Sequence, residues 1–181
     1  MRYLLMCEGP NEETIINILL DNDLLRFTKD DLIGLKPYNV RQLKNPTIIS
    51  ELKRYNKPVI IYRIGDTQND KIAIPKELKK IVSQDRIFKF CTKPELEMIL
   101  IINENLISKY NKVKSSVKPK TFAKQNIVFN NRKYDNSCEF YKEYYFGERV
   151  SFLISNIKEY KKNKKHNREE GYLADLLKEN K

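Results

Sequence analysis

Short apolar runs alternate along the first half of the chain with segments whose apolar residues recur at helical spacing. The runs are rich in Leu, Ile, Val and aromatic residues, which is typical of buried strands. The predicted strands are Arg2–Cys7, Leu32–Leu35, Pro58–Gly65 and Arg86–Cys91. The predicted helices that follow them are Glu12–Leu25, Pro46–Tyr55 and Lys76–Val82.

This alternation predicts an α/β fold, with a mostly parallel four-stranded sheet flanked by helices. Capping residues support two of the helices. Pro46 suits the first helical turn with Asn45 as its N-cap, and Asn11 is the predicted N-cap of the first helix. A strongly apolar helix is predicted from Glu95 to about Tyr110.

The rest of the chain predicts a basic, mainly helical C-terminal extension, residues 111–181, that packs on a domain of residues 1–110. Its aromatic-rich segment Tyr134–Phe146 has two interpretations. We favour the core of a small subdomain, because exposed aromatic area is normally limited; the alternative is a surface that stacks the bases of single-stranded nucleic acid. The other predicted segments are a basic loop or lid at Lys112–Lys124, a helix from Phe152 into a lysine-rich run, and a last helix at Tyr172–Leu177.

Two of the apolar runs stop on an acid. Glu8 precedes Gly9 after the first strand, and Asp66 follows Gly65 after the third, with Asp70 close behind. Because the carboxyl ends of neighbouring parallel strands meet at one edge, we expect these acids to lie together. Carboxylates are the usual protein ligands of Mg²⁺. The sequence therefore predicts a divalent metal site, with Asp66 and Asp70 as ligands and Glu8 as a third ligand or as general acid/base.

Neither Glu8 nor Asp66 has an evident structural reason to end an apolar strand at a glycine turn, so we favour a functional role for both. Asp70 has an alternative explanation, since an Asp in a loop that contains Asn also stabilises turns.

Glu8-Gly9 with Glu12, and Asp66 with Asp70, resemble the motifs of the Toprim domain. That domain occurs in topoisomerases, primases, OLD-type nucleases and small Toprim-like proteins of bacterial phage defence. The resemblance covers roughly the first 110 residues. It departs from the family at one position: the second family motif is Asp-x-Asp, and here Gln68 stands two residues after Asp66. That departure makes a catalytically inactive member of the family an alternative.

The resemblance implies a nuclease that hydrolyses phosphodiester bonds with Mg²⁺ or Mn²⁺, in anti-phage defence or RNA processing. Glu8 and Asp66 would be catalytic, with Glu8 as the general acid/base. A Pro-x-x-Glu opening like that at Pro94 resembles some phage-defence members and favours Glu97 over Glu95. The predicted metal ligands, direct or through water, are Glu8, Glu12, Asp66, Asp70 and Glu97. For Glu12 and Glu97 the alternative is that they only complement a helix dipole.

Positive charge is concentrated in the second part of the chain. Residues 1–108 hold 17 Lys and Arg against 15 Asp and Glu, whereas residues 109–181 hold 18 against 9. This asymmetry predicts contact with a polyanion, although a lysine-rich composition also arises from codon bias in AT-rich genomes. The predicted nucleic-acid-binding residues are Lys161, Lys162, Lys164, Lys165 and Arg168.

Composition excludes several other classes. The three cysteines have no CxxC spacing, so neither a disulfide framework nor a zinc site is expected. His166 is the only histidine, which argues against a Ser/His/Asp triad. Neither a P-loop nor a GxGxxG motif occurs. We also expect no signal peptide and no membrane span, and hence a cytoplasmic location.

Three functional classes remain. The first is a metal-dependent nuclease, and the second is an inactive nucleic-acid-binding module that keeps the fold. The third is a subunit whose basic face binds an acidic partner, such as an ATPase of a defence complex.

Overall fold

A computed structural model describes residues 1–66, 71–92, 95–163 and 170–178. Its strands are β1 (Arg2–Cys7), β2 (Tyr38–Asn39), β3 (Val59–Gly65), β4 (Ile87–Cys91), β5 (Val128–Phe129), β6 (Arg132–Lys133) and β7 (Gly171–Tyr172). Its α-helices are α1 (Pro10–Asp21), α2 (Pro46–Tyr55), α3 (Glu97–Asn103), α4 (Ile107–Asn111), α5 (Pro119–Asn126), α6 (Cys138–Tyr144) and α7 (Val150–Asn163).

A five-stranded sheet in the order β2-β1-β3-β4-β7 forms the centre of the fold. Each of its strand pairs is parallel. Cys7 pairs with Ile64 and Gly65 pairs with Cys91, so the carboxyl ends of three central strands are aligned. The predicted α/β class with a parallel sheet and flanking helices is therefore confirmed, but the predicted number of four strands is wrong.

The second predicted strand, Leu32–Leu35, is also wrong. Short 3-10 helices occupy Lys29–Asp31 and Ile33–Leu35, and the edge strand β2 follows them. Gly34 and Leu35 have positive φ values of 65° and 58°, which turn the chain away from an extended path. Four apolar residues alone do not distinguish a strand from a buried turn.

The fifth strand comes from a segment predicted as a helix. Tyr172–Leu177 begins in β7 and continues as a 3-10 helix at Leu173–Leu176. A strand of two residues has too few positions to show a period of two, so its pairing with β4 is decided by tertiary contacts. Residues after position 110 thus contribute to the same sheet as the first 110.

Helix boundaries follow the capping chemistry closely at α2. Its N-cap Asn45 accepts a hydrogen bond from the Thr47 N–H at 3.0 Å, as predicted. The first helix, in contrast, is capped by Gly9 and not by Asn11, because Pro10 already occupies the first helical position.

Three further segments differ from their predictions. The long apolar helix is divided into α3 and α4, with Asn105 at a positive φ of 55° between them. The predicted helix Lys76–Val82 is a 3-10 helix at Lys76–Leu78. Part of the predicted loop or lid forms α5.

Each face of the sheet has its own apolar core, because successive strand residues point to opposite faces. Leu5, Tyr62 and Ile64 pack with α1, α3, α6 and α7 on one face. On the other face, Leu4 and Ile61 pack against α2. α1 and α2 therefore cover opposite faces.

The aromatic segment after Lys133 belongs to the first of these cores. Its five most buried aromatic residues are at most 2% exposed: Tyr134, Phe140, Tyr141, Tyr144 and Tyr145. The interpretation as core residues is confirmed, although they share a core with the sheet and do not form a separate subdomain. Base stacking by these five is contradicted by their burial. In the described part of the chain, no helix is both long and apolar enough to cross a bilayer.

Candidate functional site

The topology of the sheet creates a crevice between β1 and β3. From β1 the chain passes to β2 on one side, and through α2 it returns to β3 on the other side. In open parallel sheets with this order, ligands bind at the carboxyl ends of the two strands where the winding reverses. Glu8 and Asp66 are the residues that directly follow β1 and β3. The fold thus brings two predicted catalytic acids to the position where such sheets bind ligands.

Glu8 is buried in this crevice, with 7% of its side chain exposed. Its N–H donates to the Ile64 carbonyl at 2.9 Å, which extends the β1–β3 pairing by one residue. Arg41 lies beside it: the guanidinium is 3.6 Å from Glu8 Oε1, and Arg41 Nε donates to the Glu8 carbonyl at 3.3 Å. An exposed arginine therefore lies beside the buried carboxylate at the strand end.

Next to Glu8, a pocket of about 350 Å³ opens at the same edge of the sheet. We call it the acidic pocket, since four of its lining side chains are carboxylic acids. Its lining residues are Pro10, Asn11, Glu12, Asp66, Glu95, Leu96, Glu97, Lys120 and Asn136. Three predicted ligands, Glu12, Asp66 and Glu97, thus converge on one pocket, while Glu8 is buried beside it.

Glu12 lies in the first turn of α1 and folds back over the preceding turn. A Cβ added at Gly9 would be 2.8 Å from Glu12 Oε2, so a side chain there would push the Glu12 carboxylate aside. Burial raises the pKa of the Glu12 carboxyl, a hydrogen bond from its own N–H opposes this, and the charges of Asp66, Glu8 and Glu97 raise it further. The charges of Asp66, Glu8 and Glu97 therefore all favour the protonated form of Glu12.

Glu97 is 5% exposed and opens α3. Its Oε1 accepts a hydrogen bond from the Tyr134 hydroxyl at 2.8 Å. Burial raises the pKa of this carboxyl and so does Glu95, whereas the Glu97 N–H, Tyr134 and Lys120 lower it. Glu97 therefore has a side-chain hydrogen-bond partner, Tyr134, in addition to the dipole of α3.

Asn136 links Glu97 to the one ammonium group that lines the acidic pocket in the described structure. In the amide orientation that best satisfies its neighbours, Asn136 donates to Glu97 Oε1 at 3.0 Å and accepts from Lys120 Nζ at 2.9 Å. Glu95 accepts from the Lys120 N–H at 2.9 Å and so caps the start of α5.

The sequence did not identify Lys120, Asn136 or Asn11 as residues of this pocket. No local signal separates Lys120 from the nearby lysines, because only the packing of α5 against α3 brings it to the pocket. Asp70 lies outside the described residues.

The acidic pocket meets some requirements of a magnesium site. Over the described ranges 1–66, 71–92, 95–163 and 170–178, no three Asp, Glu, His or Cys side chains are close enough to enclose a metal ion together. Mg²⁺ does not need such a cage, since it keeps several waters and binds through one or two carboxylates plus substrate oxygens. Burial raises the pKa of Glu12, and the charges of Asp66, Glu8 and Glu97 raise it further, so these oxygen donors suit a hard divalent cation. The donor set therefore fits Mg²⁺ or Mn²⁺ held partly through water.

The two predicted basic residues that the structure describes do not line the acidic pocket. Lys161 and Lys162 are on the last turn of α7 and line a different pocket, which shares no residue with the acidic pocket. The remaining predicted residues, Lys164, Lys165 and Arg168, lie outside the described residues, as does His166.

Fold and site together define a parallel α/β protein with an acidic pocket where the winding of its sheet reverses. Comparison of the chain with protein-family models, with curated proteins and with solved structures found no match in any of the three. The resemblance to the Toprim domain therefore rests on four residues of the sequence, Glu8, Glu12, Asp66 and Asp70. Of these, Glu8 and Asp66 follow β1 and β3, and Glu12 lies in the first turn of α1.

Proposed function

We propose that the protein hydrolyses phosphodiester bonds of nucleic acid at the acidic pocket, with Mg²⁺ or Mn²⁺ as the metal. The observation that carries this proposal is the convergence of Glu12, Asp66 and Glu97 on one pocket beside the buried Glu8. The resemblance of the same residues to the Toprim motifs supports the same chemistry.

Asp66 and Glu12 are the residues that we assign to hold the metal, with Glu97 in contact directly or through water. When bound, the ion would offset negative charge on the phosphate oxygens and on the leaving oxygen. Burial and the neighbouring acids raise the pKa of Glu12, so a divalent cation relieves a repulsion that the fold has built in.

Proton transfer is assigned to Glu8, as the resemblance implies. Close packing over Gly65 positions its side chain next to the strand that ends before Asp66, and Arg41 lies beside its carboxylate. Glu97 is a second group for this task when it contacts the metal only through water, because burial raises the pKa of its carboxyl above the ordinary value.

Lys120 is assigned to bind a phosphate oxygen of the substrate. Its ammonium group lines a pocket of four acids, and Asn136 orients it from one side. A fixed cation in such a place attracts a phosphate that the carboxylates alone would repel.

Cleavage of labelled DNA and RNA with Mg²⁺, Mn²⁺ or EDTA tests this function. We expect metal-dependent cleavage that Asp66→Asn and Glu8→Gln abolish, while thermal unfolding of both variants shows that they fold. Glu77→Gln is the matched control, since Glu77 is exposed in the 3-10 helix at Lys76–Leu78, away from the acidic pocket. Full activity in either pocket variant, or cleavage that persists in EDTA, would contradict the proposal.

A nucleic-acid-binding module without turnover is the second candidate. The absence of a three-acid metal cage among the described residues and the position of Gln68 in the sequence favour it. It predicts salt-sensitive binding with no product under any metal condition, so a reproducible product that Asp66→Asn removes would exclude it.

A further inference from the structure

A basic groove of about 900 Å³ lies on the face of the sheet that α7 covers. Among the described residues, five cationic side chains and one carboxylate line it. Its lining residues are Arg26, Lys158, Lys161, Lys162, Ala174, Asp175, Leu177 and Lys178. Only Lys161 and Lys162 among these were predicted to bind nucleic acid.

Three distant segments meet to form the basic groove. The Arg26 N–H donates to the Leu176 carbonyl at 3.0 Å, and the Lys178 N–H donates to the Leu24 carbonyl at 2.9 Å. These bonds join the segment after α1 to the C-terminal segment, and α7 supplies the three remaining lysines. The groove is thus part of the folded structure and not a run of charge in sequence.

Internal partners hold some of its cations in place. Arg26 donates to the Tyr62 hydroxyl at 2.9 Å, and its guanidinium lies 5.4 Å from the centre of that ring. Lys161 forms an ion pair with Asp175, and Lys178 with Asp23. Lys158 and Lys162 have no carboxylate within ion-pair distance in the part of the chain that the structure describes. These two lysines are available to an external anion.

The one acid of the groove does not cancel its charge. Burial raises the pKa of Asp175, but hydrogen bonds from Lys161 and the Tyr172 N–H, with the charges of Lys161 and Arg26, lower it overall. Its oxygens are already engaged by those two donors. The outward-facing charge of the groove therefore remains positive.

The lining suits a sugar-phosphate backbone better than a protein. Ala174 and Leu177 are its only apolar lining residues among those described. Protein interfaces have apolar or aromatic centres and are depleted in lysine, whereas lysines that contact phosphates are the usual means of holding a nucleic acid without regard to sequence.

A small apolar pocket shares lining residues with both the basic groove and the acidic pocket. It shares Glu95 and Leu96 with the acidic pocket, and Ala174 with the basic groove. Each charged site therefore has a lining residue in common with this small apolar pocket.

We propose that the basic groove binds the sugar-phosphate backbone of a nucleic acid, on the flank of the phosphodiester that lies at the acidic pocket. The flanking position rests on the proposed function. The binding itself does not, because it needs neither a metal nor turnover.

Fluorescence anisotropy with a labelled single-stranded oligonucleotide of mixed sequence, in EDTA and over about 50–200 mM salt, tests the groove. Each phosphate contact contributes about −0.7 to the slope of log K against log salt for single strands. For Lys158→Gln/Lys162→Gln we therefore expect a slope less negative by about 1.4 and, taking equal binding at about 1 M salt as the reference, roughly 25-fold weaker binding at about 0.1 M. The matched control is Lys57→Gln/Lys80→Gln, which removes two exposed lysines that do not line the groove and should leave both quantities unchanged.

Equal affinity and slope in wild type and the Lys158/Lys162 variant would overturn the proposal. So would a wild-type protein that ignores the oligonucleotide but binds an acidic peptide or anionic vesicles through the same lysines. If wild type binds with the expected slopes yet cleaves nothing under any metal condition, the groove stands and the proposed hydrolysis fails.

Discussion

Glu8 occupies the space where a side chain at Gly65 would lie. A Cβ added at Gly65 would be 2.5 Å from the Glu8 Cβ and would also strike the Glu8 carboxylate. The two residues sit on neighbouring strand ends, so the glycine that precedes Asp66 is what allows a buried acid to follow β1. The turn that carries Glu8 therefore packs directly against the turn that carries Asp66.

Gly65→Ala should destabilise the protein and disturb the site together. Because one of the clashing atoms is the Glu8 Cβ, which the backbone fixes, the strand ends must shift, and we expect a loss of about 1–3 kcal/mol in the free energy of unfolding. Urea denaturation measures this loss. In a Glu8→Gly background most of it should disappear; an equal loss in both backgrounds would show that Glu8 is not the cause.

Glu12→Gln should stabilise the metal-free protein at neutral pH. Burial and the nearby acids raise the pKa of Glu12 in the folded state, so the folded protein binds this proton more tightly than the unfolded chain does. The ionised form therefore costs stability, and this cost grows as pH rises through the raised pKa. We expect a gain for the variant at pH 7 that vanishes below about pH 4, where glutamate is protonated in both states.

Denaturation at a series of pH values in EDTA checks that prediction. Glu13→Gln is the matched control, since Glu13 is in the same helical turn but does not line the acidic pocket. A gain that is equal for the two variants, or independent of pH, would contradict the electrostatic explanation.

Tyr134→Phe should cost about 1.5–3 kcal/mol of stability, because it removes a hydrogen bond to the Glu97 carboxyl, a residue only 5% exposed. The hydroxyl that is lost donates to Glu97 at 2.8 Å. Tyr145→Phe is the comparison: its hydroxyl is buried with no hydrogen-bond partner among the described residues, so its removal should be neutral or stabilising. Chemical denaturation of the two variants should rank them in this order, and similar losses would argue against a special role for the Tyr134–Glu97 bond.

Lys120→Ala should lower the rate of cleavage by about 10²-fold, as expected when one fixed group that stabilises a transition state is lost. Lys124→Ala is its control on the same helix, exposed and outside the acidic pocket. Steady-state cleavage of a labelled oligonucleotide measures both. Equal rates for the two variants would remove Lys120 from the site.

Local chemistry accounts for the parts of the fold that could be predicted. β1 and β3 are apolar runs that end at Cys7 and Gly65, directly before Glu8 and Asp66, and the start of α2 follows from Asn45 and Pro46. Each of these signals lies within a few consecutive residues, so it does not depend on long-range packing.

Long-range contacts decided the parts that could not be predicted. Gly171 packs against Phe90, with a Cβ at that position only 2.8 Å from its ring, so β7 depends on a partner 81 positions away. Lys120 likewise reaches the acidic pocket, and Arg26 the basic groove, through tertiary packing. The sequence around each residue gives no sign of that packing. The acids of the acidic pocket could be predicted because they closely follow strand ends. Its described cation, Lys120, has no such signal and could not be predicted.

The most direct test of the central claim is a crystal structure grown with Mn²⁺, with the anomalous signal measured at the manganese edge. We predict a peak in the acidic pocket, within about 2.5 Å of an oxygen of Asp66 or Glu12, that disappears in Asp66→Asn crystals grown the same way. A pocket without a peak in wild type, or an unchanged peak in the variant, would contradict a metal-dependent site between β1 and β3.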